Sequence, residues 1–432
     1  MSPRATRLAR ALAAGAVLTS LASTVHAAGS ARPRAASSFT YKIGISLPYN
    51  ELAELSNGIK QSVQVAVAQA NKNHTVPGVT FDIQSLDDTI NGQHSGQKDS
   101  QNASALINDN RVIGEVGPLN SSAAKVSEPT YNRAGLVQIS PSNTNPDLTV
   151  KSKRALYEPA SAISGAPITY FRTCTTDIIQ GRSDARYAKK AGFKNIFVTD
   201  NQGIYGIGLS NYFEQEAKTL GLTVLGHSSL DAQNISASAQ SLATTIASKK
   251  PDLVFFGGEY GSKGGAEILA DDLRSAGLSK VVFMGGDGIF ATDFIKGSSK
   301  GGAQGALASN VGRNALTSPY AQSFVAAKKA QFPGSSIEGY DIYAYDAANV
   351  IIRAFAKAVK GGQIKVGNPM TVALRQTIAR NVAGTSDYRG ATGQVSFDKN
   401  GDSSNRDISV YRASGTGASA KWTFVALAPA AS

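Results

Sequence analysis

Short apolar runs closed by polar turns alternate with stretches of helical spacing along most of the chain. Tyr41 to Leu47 (YKIGISL) reads as a strand, and Pro48 to Ser56 as a polar loop. Asn57 to Asn71 then carries Ile59, Val63, Val65, Ala66 and Ala70 at near-helical intervals. Val79 to Leu86 is the next strand, ended by Asp87-Asp88, and Gln97 to Asn108 the next helix. Val112 to Val116, Ser121 to Ala134 and Leu136 to Ile139 complete a strand, helix and strand. A βαβαβαβ order predicts a parallel sheet with helices on both faces.

Val150 to Tyr170 breaks the rhythm with Pro159, Gly165 and Pro167, and reads as a surface excursion. The alternation then restarts. Strands are predicted at Asn195–Thr199, Thr223–Gly226, Asp252–Phe256 and Val281–Met284, with helices at Gly208–Leu220, Ala237–Lys249 and Gly264–Ala276. Gly305 to Ser309 begins a return toward the first half, which gains helices at Pro319–Gln331, Asp346–Val359 and Val372–Ala379. Asp407 to Tyr411 and Trp422 to Ala426 read as closing strands. The expected fold is α/β, with two doubly wound parallel-sheet lobes joined by several crossings. Residues 41–175 and 311–395 form the first lobe, 176–310 and 396–432 the second, with a hinge near Arg172 to Asp177. Such lobes leave a cleft at the strand C-terminal ends.

With 432 residues, 42% of them hydrophobic, the chain can bury a large core. Residues 1–27 read as a secretory signal: Arg4, Arg7 and Arg10, an apolar run from Ala11 to Val25, and the small-residue site Val25-His26-Ala27. That run is too short for a membrane span and is broken by Gly15, Thr19, Ser20 and Ser23. Residues 28–40 look like a flexible leader, with no cysteine to carry a lipid anchor. The product would be secreted to a periplasm or cell envelope. Losing the three arginines lowers the formal charge from +12 to +9. Basic residues are scattered and no cluster interleaves with aromatics, so a nucleic-acid partner is not expected. Cys174 is the only cysteine, which excludes an internal disulfide.

Nothing points to catalysis, a metal or a cofactor. His74, His94 and His227 lie outside any triad or metal-ligand spacing, and solvated or capping roles suit them. Gly297 to Gly301 fits G-x-S-x-G only formally, without the flanking strand and helix that give the motif its mechanism. Gly203–Gly208 and Gly258–Gly265 are glycine-rich without forming G-x-G-x-x-G. Cys174 has no neighbouring base, and Asp87-Asp88 more often ends a strand than holds a metal.

Binding of a zwitterion fits better. The strands at 112–116 and 136–139 should be parallel, so the turns after them share one sheet edge. One turn carries Asn120, Ser121 and Ser122, the other Ser142, Asn143, Thr144 and Asn145. Singly, each could be helix caps and turn formers. In tandem they make an anion site of hydroxyls and free N–H groups, suited to a carboxylate. The second half offers Tyr205, then Glu259 and Tyr260, then Asp287, on three successive loops after strands. A carboxylate there can hold an ammonium, and tyrosines can close over the ligand.

Several stretches, in order, resemble the periplasmic leucine/isoleucine/valine-binding proteins of ABC importers. They are GPLNSS, ISPSNTNPDLT, RTCTTDIIQG (Arg172–Gly181), TDNQGIYGIG (Thr199–Gly208), FFGGEY (Phe255–Tyr260), FMGGDG (Phe283–Gly288), YDIYAYDAA (Tyr340–Ala348) and GATGQVSFDKNGD (Gly390–Asp402). The resemblance covers Tyr41 to about Ala428 and implies a type I periplasmic-binding fold. It implies that Ser121 and Thr144 hold the ligand carboxylate. The ammonium would meet the Ser142 carbonyl, the Thr144 hydroxyl and Asp287, with Tyr205 covering the ligand. The implied partners are an amino-acid-like solute and the ABC permease subunits, and a monomer is expected. Glu259, beside Tyr260, falls where those relatives have tyrosine, and the 150–170 segment is longer than theirs. A ligand-sensing receptor or regulator domain on the same fold is the alternative. No membrane segment or signalling domain is expected after residue 432, which would disfavour the receptor version.

Overall fold

The computed structural model describes residues 38–261 and 264–431; the predicted signal and most of the leader lie outside the described residues. Strands β1 (Phe39–Leu47), β2 (Val79–Asp87), β3 (Val112–Val116), β4 (Gln138–Ser140) and β5 (Tyr170–Arg172) form one sheet in the order β2-β1-β3-β4-β5. All its neighbours are parallel. Ile43, Ile45 and Leu47 of β1, an interior strand, are completely buried. β1 begins at Phe39, so the leader gives way to sheet before residue 41.

The second sheet holds β6 (Asn195–Asp200), β7 (Thr223–Ser229), β8 (Leu253–Gly257), β9 (Val282–Gly285), β10 (Leu307–Val311), β11 (Ile408–Ser414) and β12 (Lys421–Leu427). Its order is β12-β11-β10-β9-β8-β6-β7. It is parallel from β7 to β10, and β11 and β12 add an antiparallel edge. β8 reads LVFFG and is buried throughout, as a strand covered by helices on both faces must be.

Helices α1 (Ala53–Lys72), α2 (Gly96–Asn108) and α3 (Ser121–Ala134) belong to the first half, α4 (Asp177–Lys190), α5 (Ile204–Thr219), α6 (Ile235–Lys249) and α7 (Ala266–Ser275) to the second. The late helices α8 (Gln322–Gln331), α9 (Asp341–Lys360) and α10 (Val372–Ala383) return: α9 packs on α1, α10 and β3.

Three helices start before their apolar periodicity does. α1 begins at Ala53 rather than Asn57, α5 at Ile204 rather than Gly208, and α9 at Asp341 rather than Asp346. Each added turn carries charge, glycine or tyrosine (Glu54, Tyr205, Gly206, Tyr343) in place of an apolar stripe. The 150–170 excursion contains short helices at Arg154–Tyr157 and Pro159–Ser164 and ends in β5, a strand the pattern did not predict. β5 has three residues and carries the wholly buried Arg172, so no alternation announces it. A hairpin pairs Thr89–Ile90 with Gln93–His94 through Asn91 (φ 52°) and Gly92 (φ 74°), a two-residue turn that needs positive φ at both positions.

Candidate functional site

The two polar turns of the first half lie against one another. Ser140 Oγ donates to the Pro118 carbonyl (2.9 Å) and accepts from the N–H groups of Ser142 (3.2 Å) and Asn143 (2.9 Å). Ser142 Oγ and Asn143 Nδ2 both donate to the Leu119 carbonyl, at 2.9 and 2.7 Å. Ser121 opens α3, and its Oγ accepts from the Asn145 N–H at 3.4 Å.

Arg172 holds the second turn from behind. Its Nη1 donates to the Asn143 and Asn145 carbonyls (2.7 and 2.9 Å) and its Nη2 to Thr149 Oγ1 (2.8 Å). Its Nε lies 2.7 Å from Asp402 Oδ1 on the late crossing segment. The fork geometry of a guanidinium suits carbonyls that diverge as these do. Cys174 is buried beside it, its thiol pushed up by burial, in keeping with a packed rather than reactive cysteine.

The second half contributes acids and a tyrosine. Tyr205 sits in the first turn of α5, which approaches β8 closely: a Cβ on Gly206 would lie 2.5 Å from the Gly257 carbonyl oxygen. Tyr205 donates to Asp287 Oδ1 (2.8 Å) and accepts from the Gly288 N–H (3.1 Å). Tyr340, from the start of α9, donates to Asp287 Oδ2 at 2.8 Å. Both carboxylate oxygens are therefore occupied inside the protein. Burial raises the Asp287 pKa, and the hydroxyls of Tyr205 and Tyr340 and the amide of Gln180 pull it back down. Glu259 Oε2 accepts from Asn201 Nδ2 (2.5 Å), while Asn201 Oδ1 accepts from the Gly203 N–H (3.1 Å), which fixes the amide's orientation.

These groups close on one small cavity. Leu52, Leu55, Leu119, Asn120, Ser121, Ser142 and Tyr340 line it from the first half, and Tyr205, Glu259, Asp287 and Gly288 from the second. Its volume is about 20 Å³, room for the centre of roughly one water. Five of the seven residues singled out in the sequence are thus brought together: Ser121, Ser142, Tyr205, Glu259 and Asp287. Thr144 and Tyr260 are buried off the lining. The Thr144 carbonyl accepts from the Asp177 N–H at 2.8 Å and its hydroxyl bears on the Asp177 carboxyl; the Tyr260 N–H donates to the Gly288 carbonyl at 3.1 Å. A larger open groove of about 1050 Å³ beside α9 shares no lining residue with the cleft.

Sequence reasoning missed Tyr340, although it opens one of the quoted stretches, and the leucines, which lie in a loop and turns without periodicity. It also placed His94 as solvated or capping. The Asn91-Gly92 hairpin instead holds His94 against Glu51, whose Oε2 takes the His94 N–H (2.6 Å) and meets Nδ1 (2.7 Å). Burial opposes the imidazolium, but the hydrogen bond and charge of Glu51, with Glu259 and Asp88 nearby, raise its pKa to about 9. Across the cleft, Glu54 of α1 accepts from Thr292 Oγ1, from the Asp293 N–H (3.0 Å) and from Lys296 Nζ (3.4 Å). Among the described residues, no group of three or more His, Cys, Asp or Glu could hold a metal ion, and no helix is long and apolar enough to cross a membrane.

A family model described as periplasmic binding protein matches residues 40–418. The Leu/Ile/Val-binding protein BraC3 of Rhizobium johnstonii is 27% identical over 379 residues, covering 86% of this chain and 90% of that one. The branched-chain amino acid transporter substrate-binding protein LivJ of Streptococcus pneumoniae, solved with isoleucine, superposes with a TM-score of 0.70 at 21% identity, over 90% of this chain and all of that one. A solute-binding protein of R. palustris solved with 4-hydroxybenzoate gives 0.71 at 17% identity, over 90% and 97%.

Proposed function

Since the chain belongs to the periplasmic binding protein family that includes the Leu/Ile/Val-binding proteins, we propose that it captures an α-amino acid, or a close relative, between its lobes and delivers it to the permease of an ABC importer. Asp287 carries this reading. A buried acid on one wall faces uncharged donors and carbonyls on the other, which suits a zwitterion: ammonium toward Asp287, carboxylate toward Ser121 and the second polar turn. A benzoate-like solute, as in the R. palustris neighbour, would bring a carboxylate and no cation to answer Asp287.

Capture works as a shift between open and closed populations rather than as chemistry. A cavity of about 20 Å³ takes no amino acid as it stands, so the walls part for entry and close over the solute. The bodies that part are residues 41–175 with 311–395 and residues 176–310 with 396–432. Tyr205 and Tyr340, both on Asp287, turn a hydroxyl toward the solute when it displaces one of them. Secretion through the signal at residues 1–27 would place a monomer at the envelope, where the permease is reached. A thermal-shift screen across amino acids, amides and short organic acids tests the reading, because a ligand that favours the native state raises the melting midpoint. An amino acid should stabilise the protein most. Stabilisation by amine-free acids alone would overturn the assignment.

A further inference from the structure

Among the described residues, the cavity's lining contains two carboxylates, Asp287 and Glu259, and no lysine, arginine or histidine. A simple aliphatic amino acid answers only one of them. Resting on the amino-acid reading above, we infer that the solute carries a second cation at the end of its side chain, met by Glu259, so that the ligand is a dibasic α-amino acid.

The surroundings of Glu259 leave that charge unanswered. On its own half, Asn201 supplies one neutral donor to Oε2 and is locked in that orientation by the Gly203 N–H. From the other half, among the described residues, the cation facing it is His94, and that residue is already engaged by Glu51 at both its backbone N–H and its ring Nδ1. Glu51 itself faces Glu259, and Asp88 also faces His94. Among the described residues, Glu51 and Glu259 therefore share a single imidazolium, so Glu259 lines the cavity without a cation of its own; burial raises its pKa and the charge of His94 pulls it back down. A buried charge without a partner is costly, and a solute that brings the missing cation gains what an aliphatic one forgoes. Leu52, Leu55 and Leu119 line the same cavity and can flank the methylenes of such a side chain, as apolar walls do for lysine and arginine stems.

The test is calorimetry of the full mature chain at neutral pH with leucine, glutamine, ornithine, lysine and arginine, on the wild type and on Glu259→Gln. At least one of the three basic amino acids should bind the wild type tenfold or more tighter than leucine. In Glu259→Gln that basic-over-leucine ratio should fall at least tenfold. Wild-type protein that binds leucine or glutamine as tightly as every basic amino acid overturns the inference and leaves the amino-acid reading standing. Absence of binding by all five overturns the inference, and the thermal-shift screen then decides the amino-acid reading separately. The wild-type comparison decides even if Glu259→Gln does not fold, and an unchanged ratio in a folded Glu259→Gln assigns the preference elsewhere.

Discussion

The two walls of the cleft are built on opposite plans. The first is electrically quiet: serine hydroxyls, an asparagine and backbone groups of two turns, stitched through Ser140, Ser142 and Asn143 and held from behind by Arg172. The second places two carboxylates, Asp287 and Glu259, at the edge of the cavity, where neutral hydroxyl and amide donors steady them. One wall hides its charge in the support and shows dipoles; the other shows its charge, with tyrosine hydroxyls from both halves beside it on the lining. Geometry should therefore fail first when the support of the first wall is cut, and recognition first when the charge of the second is.

Arg172→Met is the largest break. It strands the Asn143 and Asn145 carbonyls and the carboxylate of Asp402, and should cost about 3–5 kcal/mol of stability in denaturant unfolding, the usual toll for removing one partner of a buried ionic network. Asp287→Asn keeps the shape and an acceptor for a tyrosine hydroxyl, so its loss should fall on affinity: about 2–5 kcal/mol by calorimetry, with the melting midpoint little moved. If both substitutions lowered stability alike and left affinity alike, the contrast between the walls would be wrong. Ser121→Ala removes one hydrogen bond to a charged group and should weaken binding by about 1.5–3 kcal/mol; normal binding would move the carboxylate pole away from α3. Glu54→Ala touches neither pole. It frees Thr292, Asp293 and Lys296 across the cleft and should weaken binding by about 1 kcal/mol, read in stopped-flow as faster release with association unchanged.

Inner strands such as Leu253–Gly257 were legible because they are buried on both faces and run as near-continuous apolar stretches. The turns were legible because two hydroxyl-rich segments follow successive parallel strands. What escaped was whatever serves the cleft rather than the core. The opening turns of α1, α5 and α9 mix charge, glycine and tyrosine with their apolar residues, so the periodicity reads as starting a turn late, at Asn57, Gly208 and Asp346 instead of Ala53, Ile204 and Asp341. Those turns, with the residues just before them, hold Leu55, Tyr205 and Tyr340, all on the lining. β5 escaped because its three residues are spent on a buried arginine. His94 escaped because its partner Glu51 is 43 residues away in the chain and only the Asn91-Gly92 turn aims one at the other. Thr144, singled out by its neighbours in sequence, turned out to sit behind the wall with Asp177.

The first turn of α1 does two jobs on one stiff rod: Leu52 and Leu55 face the cavity, while Glu54 between them grips residues 292–296 of the opposite half. A solute too bulky for the leucines shifts the rod outward and loosens the grip in the same movement. On the capture proposed above, size would then be judged by dwell time: an oversized guest would be admitted, fail to draw the bolt, and leave early.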